Sequence, residues 1–531
     1  MKKRYFYLPG LGAALILSAC LLHCLLREHS EVIAEYTLAD RAAAIYPDYT
    51  GIVIPPNIAP LNFIIKEQGS RYYVEASSAG GGSINIFSKT GRIAFPAGHW
   101  KRLLNANRGQ KLHFDIYAKD ENGRWVRFKS ITNEIANENI DDYLVYRKVH
   151  PLHNGWRAMG IYQRDLKNFD ESPVLNNRFY EGVCLNCHTF YKNRPDKMLI
   201  DIRGEKYGSG TLLVDSTSSP QAEDSSVKKI GTKFTYNCWH PSGRLAAYSV
   251  NKVNQFFHTA SDEVRGVVDM DSLILYYLVD SGTVKTSPKF SRKDRLETYP
   301  AWSADGRYLY FCSAPMLWSD QNEIPPEHYN EVKYDLMRIS YDIESDQWGE
   351  LETVLSAKDT GLSILEPRIS PDGRWLLFCM CDYGSFPVYH QTSDLYIMDL
   401  DAARQSGQYQ YRRLDINSNQ SESWHCWSGN SRWIAFSSKR DFGVFTRTYL
   451  SYVDEAGEVY KPIILPQKDP AFYDSCLQTY SVPELVAGPV KVTREKLGRA
   501  VRSSSQIEVA LPITMATPKA AAPPEPWQER E

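Results

Sequence analysis

Pro300-Ala-Trp-Ser-Ala-Asp-Gly-Arg307, followed by the apolar run Tyr308–Ser313, returns as Pro367-Arg-Ile-Ser-Pro-Asp-Gly-Arg374 followed by Trp375–Met380. Asp-Gly between strand-like runs marks a tight hairpin: glycine takes a positive φ at low cost and the aspartate side chain caps the turn. Looser copies are Asn237-Cys-Trp-His-Pro-Ser-Gly-Arg244 before Leu245–Val250 and His425-Cys-Trp-Ser-Gly-Asn-Ser-Arg432 before Trp433–Ser437, so the unit starts about every 60 residues. A third apolar run follows each copy, at Leu273–Asp280, Tyr334–Ser340, Asp394–Asp399 and Thr448–Val453, and fourth strands follow at runs such as Glu352–Leu355 and Tyr411–Leu414. Four strands per unit, repeated radially, predict a β-propeller. Met198–Ile202, Gly210–Val214 and Lys228–Ile230 suggest a further, degenerate blade, so five or six blades are expected although four are recognisable. Trp239, Trp302 and Trp427 share one blade position and are expected between blades, with Asp305 and Asp372 as turn residues. His240 and His425 stand beside the turns and are expected to pack or meet solvent, a ligand role on the propeller face being the alternative.

The repeats resemble the TolB-like (WD40-like, PD40) propeller family, whose signature is Pro-x-Trp/Phe-Ser-Pro-Asp-Gly-x-x-Ile-Ala-Phe. The copies at 300 and 367 match it well, whereas those at 237 and 425 have Pro-Ser-Gly and Gly-Asn-Ser in place of Pro-Asp-Gly. The wider layout is similar to a bacterial envelope group that joins an N-terminal β region, a C-x-x-C-H segment and such a propeller. That likeness rests on Tyr46–Gly51, Ile54–Phe63, Met159–Arg164 and Gln467–Pro470 and spans roughly 45–487. It implies architecture more than activity.

Cys184-Leu-Asn-Cys-His188 has the spacing that attaches haem covalently. On a helical turn, two thiols so spaced match the two vinyl groups, and the next histidine lies under the iron. The expectation is haem c on Cys184 and Cys187 with His188 as proximal iron ligand and Met198 as candidate distal ligand; His150 and His153 are weaker candidates, and Lys192 or Arg203 would pair with propionates. A disulfide, a redox pair or half a zinc site share this spacing.

At the N-terminus, Lys2-Lys-Arg4 precedes the mostly apolar Tyr5–Leu17, and Leu17-Ser-Ala-Cys20 fits a lipobox that would lipidate Cys20. The apolar run continues to Leu26, long enough for a signal anchor. Either reading of 1–26 places the rest outside the cytoplasm, tethered to the membrane.

Between leader and haem segment, residues 45–150 alternate at period two and predict a β-sandwich-like domain. Residues 151–200 look irregular or helical and form the haem segment, 201–487 the propeller, and the Ser-, Ala- and Pro-rich 500–531 a disordered tail. The predicted class is therefore all-β. Of the 531 residues, 43% are hydrophobic and 12% aromatic, and the net charge is −2, so no basic excess marks a nucleic-acid partner. Cys238, Cys312, Cys379, Cys381, Cys426 and Cys476 are scattered through apolar runs and read as free thiols rather than a disulfide framework. No G-x-S-x-G elbow or H-E-x-x-H motif occurs, so catalysis is not expected. Two functions are open: a membrane-anchored, extracytoplasmic mono-haem protein that passes or senses electrons while its propeller docks an envelope or redox partner, or a haem-free envelope propeller that binds or scaffolds, its Cys184 and Cys187 joined as a disulfide.

Overall fold

A computed structural model describes residues 33–150, 158–180, 183–216, 227–258, 265–320 and 322–509. The leader with Cys20, His153 and residues 510–531 lie outside them. The protein is all-β and divides into two units. Among the described residues, no helix is long and apolar enough to cross a membrane.

The smaller unit comprises Pro60–Ile135 with the described residues up to Gly51 and Gln467–Phe472. Its central strand, Lys111–Lys119, pairs along one side with Arg71–Ser78 and on the other with Trp125–Lys129 and Ile131–Ile135. A second, three-stranded sheet joins Ile45–Tyr46, Phe63–Ile65 and Arg92–Ile93. Phe63, Phe95, Trp100 and Phe114 fill its core, Trp100 arriving on the helix Ala97–Ala106.

The larger unit holds six four-stranded sheets. Blade two is Cys184–Phe190, Lys197–Arg203, Gly210–Asp215 and Val227–Ile230; blade three is Thr235–Trp239, Leu245–Phe257, Arg265–Leu278 and Thr283–Lys285. Blade four is Arg295–Trp302, Tyr308–Pro315, Asp335–Asp342 and Gln347–Leu355; blade five is Ser363–Ile369, Trp375–Cys381, Asp394–Asp399 and Tyr411–Arg413. Blade six is Glu422–Trp427, Trp433–Ser438, Arg447–Tyr452 and Ile463–Ile464. Blade one is built from both ends of the propeller chain: Tyr143–Val149, Gly160–Asp165 and Glu171–Asn176 receive Thr479–Val486 as inner strand. This closure removes the open edge that a linear run of blades would leave.

The repeat turns form as their chemistry requires. Asp305 accepts from the Ser303 hydroxyl and the Arg307 N–H, and Asp372 repeats the pattern. In the divergent fourth copy Asn430 takes the aspartate's place and Ser431, at φ 61°, the glycine's. The repeat tryptophans are buried, Trp239 and Trp302 each within an apolar cluster shared by neighbouring blades. His240 bonds the Gly306 carbonyl of the next blade's turn at 3.0 Å. A methyl at Gly306 (φ 76°) would land on that imidazole, whereas Gly361 (φ 74°) faces open space. Gly361→Ala is expected to cost about 1–2 kcal/mol from the left-handed backbone alone, and Gly306→Ala about 1–3 kcal/mol more through overpacking; urea midpoints of the two variants check the order.

Three expectations are corrected. Residues 151–200 are not irregular or helical: where described, most of this stretch is strand, divided between blades one and two. The propeller begins at Tyr143, not near 201, because Tyr143–Val149 is needed to pair the closing strand. The tail past 500 starts ordered: Arg494–Arg502 is a helix with Leu497 and Val501 buried, and Ile507 bridges Ile230.

Candidate functional site

The innermost strand of every blade breaks register at one equivalent place, where two of its residues stand opposite one on the neighbouring strand. The paired bulge residues are Val482-Pro483, Asn186-Cys187, Tyr236-Asn237, Tyr299-Pro300, Glu366-Pro367 and Trp424-His425. In five of the six, the first residue has a positive φ: Tyr236, Tyr299, Glu366, Trp424 and Val482 lie between 45° and 53°. Such backbone costs about 1–3 kcal/mol per residue and re-aims the side chain. Proline follows at three bulges, where a missing N–H does little harm.

The re-aimed side chains meet in the central channel. Tyr236, Tyr299 and Trp424 come from blades three, four and six, with ring centroids 4.2, 5.8 and 6.2 Å apart. Beside them lies a cavity of about 30 Å³ lined by Cys187, His188, Glu366, Arg368 and His425, room for about one water. Arg368 pairs with Glu484 of the closing strand at 3.3 Å.

Glu366, Cys379 and His425 form a buried cluster against this cavity. The Cys379 Sγ is 3.6 Å from Glu366 Oε2 and 3.7 Å from His425 Nδ1, and Nδ1 is 3.9 Å from Oε2. His425 Nε2 lies 3.1 Å from the Leu377 carbonyl, which makes Nε2 the protonated nitrogen and leaves a lone pair on Nδ1. Glu366 Oε2 accepts the Trp424 N–H at 2.6 Å, while Oε1 has no partner. Burial pushes the Glu366 carboxyl up to about 7, holds the Cys379 thiol well above its usual range and lowers His425 to about 3, Arg368 adding to the last. His425, expected to pack or meet solvent, packs: it is buried at the channel wall, and its pairing with Glu366 and Cys379 there was invisible in the sequence.

The C-x-x-C-H residues occupy blade two's inner strand, an extended segment rather than a helical turn. Cys184 and Cys187 are buried free thiols, not a disulfide; burial raises both, Cys187 to about 11. His188 is buried with neither ring nitrogen hydrogen-bonded, and burial lowers it to about 4 against the opposing pull of the Val145 and Asn186 carbonyls. Met198 stands opposite Phe190, whereas His188 stands opposite Ile200; Met198 packs in the apolar layer with Val145, Ile161 and Leu175 of blade one. Lys192 is an exposed turn residue, Arg203 pairs with buried Asp201 at 3.2 Å, and His150 is exposed.

These residues do not fit a porphyrin. A ligand of that size occupies a pocket of roughly 300–1,000 Å³, against the 30 Å³ beside Cys187 and His188. A repeat signal missed in the sequence explains the motif: Cys187-His-Thr-Phe-Tyr-Lys-Asn-Arg194 aligns with Pro300–Arg307, with Asn193 at φ 56° in the glycine position and arginine at the end. Cys187 and His188 thus stand where the propeller repeat begins, with Cys184 upstream of it on the same strand.

A much wider opening lies elsewhere. A groove of about 1,650 Å³ runs over blades four and five on the face carrying the Asp-Gly turns. In it Arg338 lies over the rings of Tyr308 (4.5 Å) and Tyr409 (5.4 Å) and pairs with Glu352 at 2.7 Å.

No protein-family model matches the chain, and no curated protein matches it. Among solved structures it is similar to a puromycin hydrolase (13% identity, TM-score 0.33), covering 60% of this chain and 45% of that one. It is also similar to an oligogalacturonate lyase from Vibrio parahaemolyticus (13% identity, TM-score 0.31), covering 66% of this chain and 88% of that one. A third is the β-propeller domain of the trilobed protease from Pyrococcus furiosus (12% identity, TM-score 0.32), covering 68% and 96%. The chain spans less than half the length of the puromycin hydrolase.

Proposed function

We propose that this chain is a haem-free β-propeller binding protein of the bacterial cell envelope, tethered through its N-terminal leader, that docks a protein partner in the groove over blades four and five. One observation carries the reading: the channel is filled by Tyr236, Tyr299 and Trp424, whereas the groove is open and lined with aromatic and charged side chains. Arginine stacked on tyrosine at the rim of an open groove is the kind of anchor found in protein interfaces. The leader supplies the location and the repeats the TolB-like resemblance; the small cavity beside Cys187 and His188 supports the haem-free form.

A photo-crosslinking residue at Gln347 or Arg307 in the groove is expected to yield a discrete adduct in the native envelope, and one at Asp294, at the opposite end of blade four, none. Arg338→Ala is expected to lower the groove adduct several-fold. Equal labelling from Asp294 overturns the groove assignment. Covalent haem on the chain after co-expression with a cytochrome c maturation system overturns the haem-free reading.

A further inference from the structure

We propose that Glu366, Cys379 and His425 bind a single zinc ion at the channel wall between blades five and six, with water from the adjoining cavity as the fourth ligand. Tetrahedral zinc with bonds of about 2.0–2.3 Å sets its ligand atoms roughly 3.3–3.6 Å apart. The three donor separations here, 3.6, 3.7 and 3.9 Å, need closure by about half an ångström at most between the imidazole and the carboxylate and by less elsewhere. Zinc-binding histidines characteristically donate their other nitrogen to a carbonyl, as His425 does to Leu377, and ligating carboxylates are held by outer donors, as Glu366 is by the Trp424 N–H. The unpartnered Glu366 Oε1 is a buried acceptor that the apoprotein leaves unsatisfied. Loading displaces the Cys379 thiol proton, and any proton on Glu366, to solvent, and the two anions neutralise the ion.

The propeller supplies its own control. In the other blades the positions equivalent to Glu366, Cys379 and His425 read Tyr236, Ser249 and Pro300; Tyr299, Cys312 and Pro367; Trp424, Ser437 and Pro483; Val482, Arg147 and Cys187; and Asn186, Ile202 and Asn237. Only the junction of blades five and six combines carboxylate, thiol and imidazole. The fold therefore does not require this trio, and Cys379→Ser and His425→Asn install residues that the same positions hold elsewhere in this chain.

The test uses the full chain, stripped with a chelator and titrated with cobalt(II) as a zinc surrogate. One cobalt per chain is expected, with a thiolate-to-cobalt charge-transfer band. Cys379→Ser should abolish that band, His425→Asn should weaken binding at least tenfold, and Cys184→Ser/Cys187→Ser should leave both unchanged. X-ray absorption of the zinc-loaded wild type should show one sulfur among four ligands and needs no variant to fold. A missing band, a band that survives Cys379→Ser or depends on Cys184 and Cys187, or a shell without sulfur or with more than one overturns the assignment.

Discussion

A chain ending at Gln478 is expected to show no cooperative unfolding transition, whereas one ending at Gly488 folds. The ten residues between them contain Thr479–Val486, every residue of which is buried. Burying a large apolar side chain stabilises by about 1.5–3 kcal/mol, and Tyr480, Val482, Leu485 and Val486 are all lost together. The deletion also exposes the inner edge of Tyr143–Val149 and leaves Arg368 without Glu484. The combined loss is comparable to the whole 5–15 kcal/mol that typically separates folded from unfolded domains. The longer chain keeps the closing strand and loses only the residues after Gly488, among them the helix Arg494–Arg502, so it should melt cooperatively at a lower temperature than the full protein. Calorimetry of the two truncations reads the difference; a cooperative transition in the shorter chain would mean that the ring does not need its closure.

Glu297→Gln is expected to stabilise the protein above about pH 8 and to change little near pH 4. Glu297 lies on blade four's inner strand, 1% exposed, accepting only the Arg292 N–H at 3.0 Å, and burial pushes it up to about 8. Its folded-state value is raised, so its contribution is fully present below the unfolded value near 4.5 and is lost as pH rises towards 8. The slope over that window is about 1.4 kcal/mol per pH unit. Glutamine keeps the shape without the charge and should remove this loss. Glu422 holds the equivalent position in blade six, and there Arg440 pairs with it at 2.9 Å. His188 and His425 act with the opposite sign. Lowered to about 4 and 3, they contribute stability above about 6.5 that is lost as pH falls. Urea midpoints of wild type and Glu297→Gln from about pH 5 to 9 check both limbs; parallel curves would show that Glu297 ionises freely.

Much of the propeller was legible because its signals are local. A hairpin needs only its Asp-Gly and the strands on either side, so the copies at 300 and 367 announced themselves, and the strands after Met198 were visible as a degenerate blade. Blade two's inner strand escaped notice because C-x-x-C-H carries a second, chemically loud meaning; the quieter alignment of Cys187–Arg194 with Pro300–Arg307 was the signal that places it. Blade one escaped because the pairing that closes it joins strands more than 300 residues apart in the chain.

The candidate zinc trio shows the same division. Glu366 and Cys379 sit on adjacent strands of one blade, and His425 comes from the next, so no spacing motif joins them. By itself the sequence determined the all-β class, the repeating hairpins and the burial of the repeat tryptophans, because each stems from residue type and short-range periodicity. Only the tertiary structure decided which strand closes the ring, that Cys187 and His188 line a packed cavity too small for a porphyrin, and that one carboxylate, one thiol and one imidazole converge. Those outcomes depend on strand register and on contacts between blades, which no local pattern encodes.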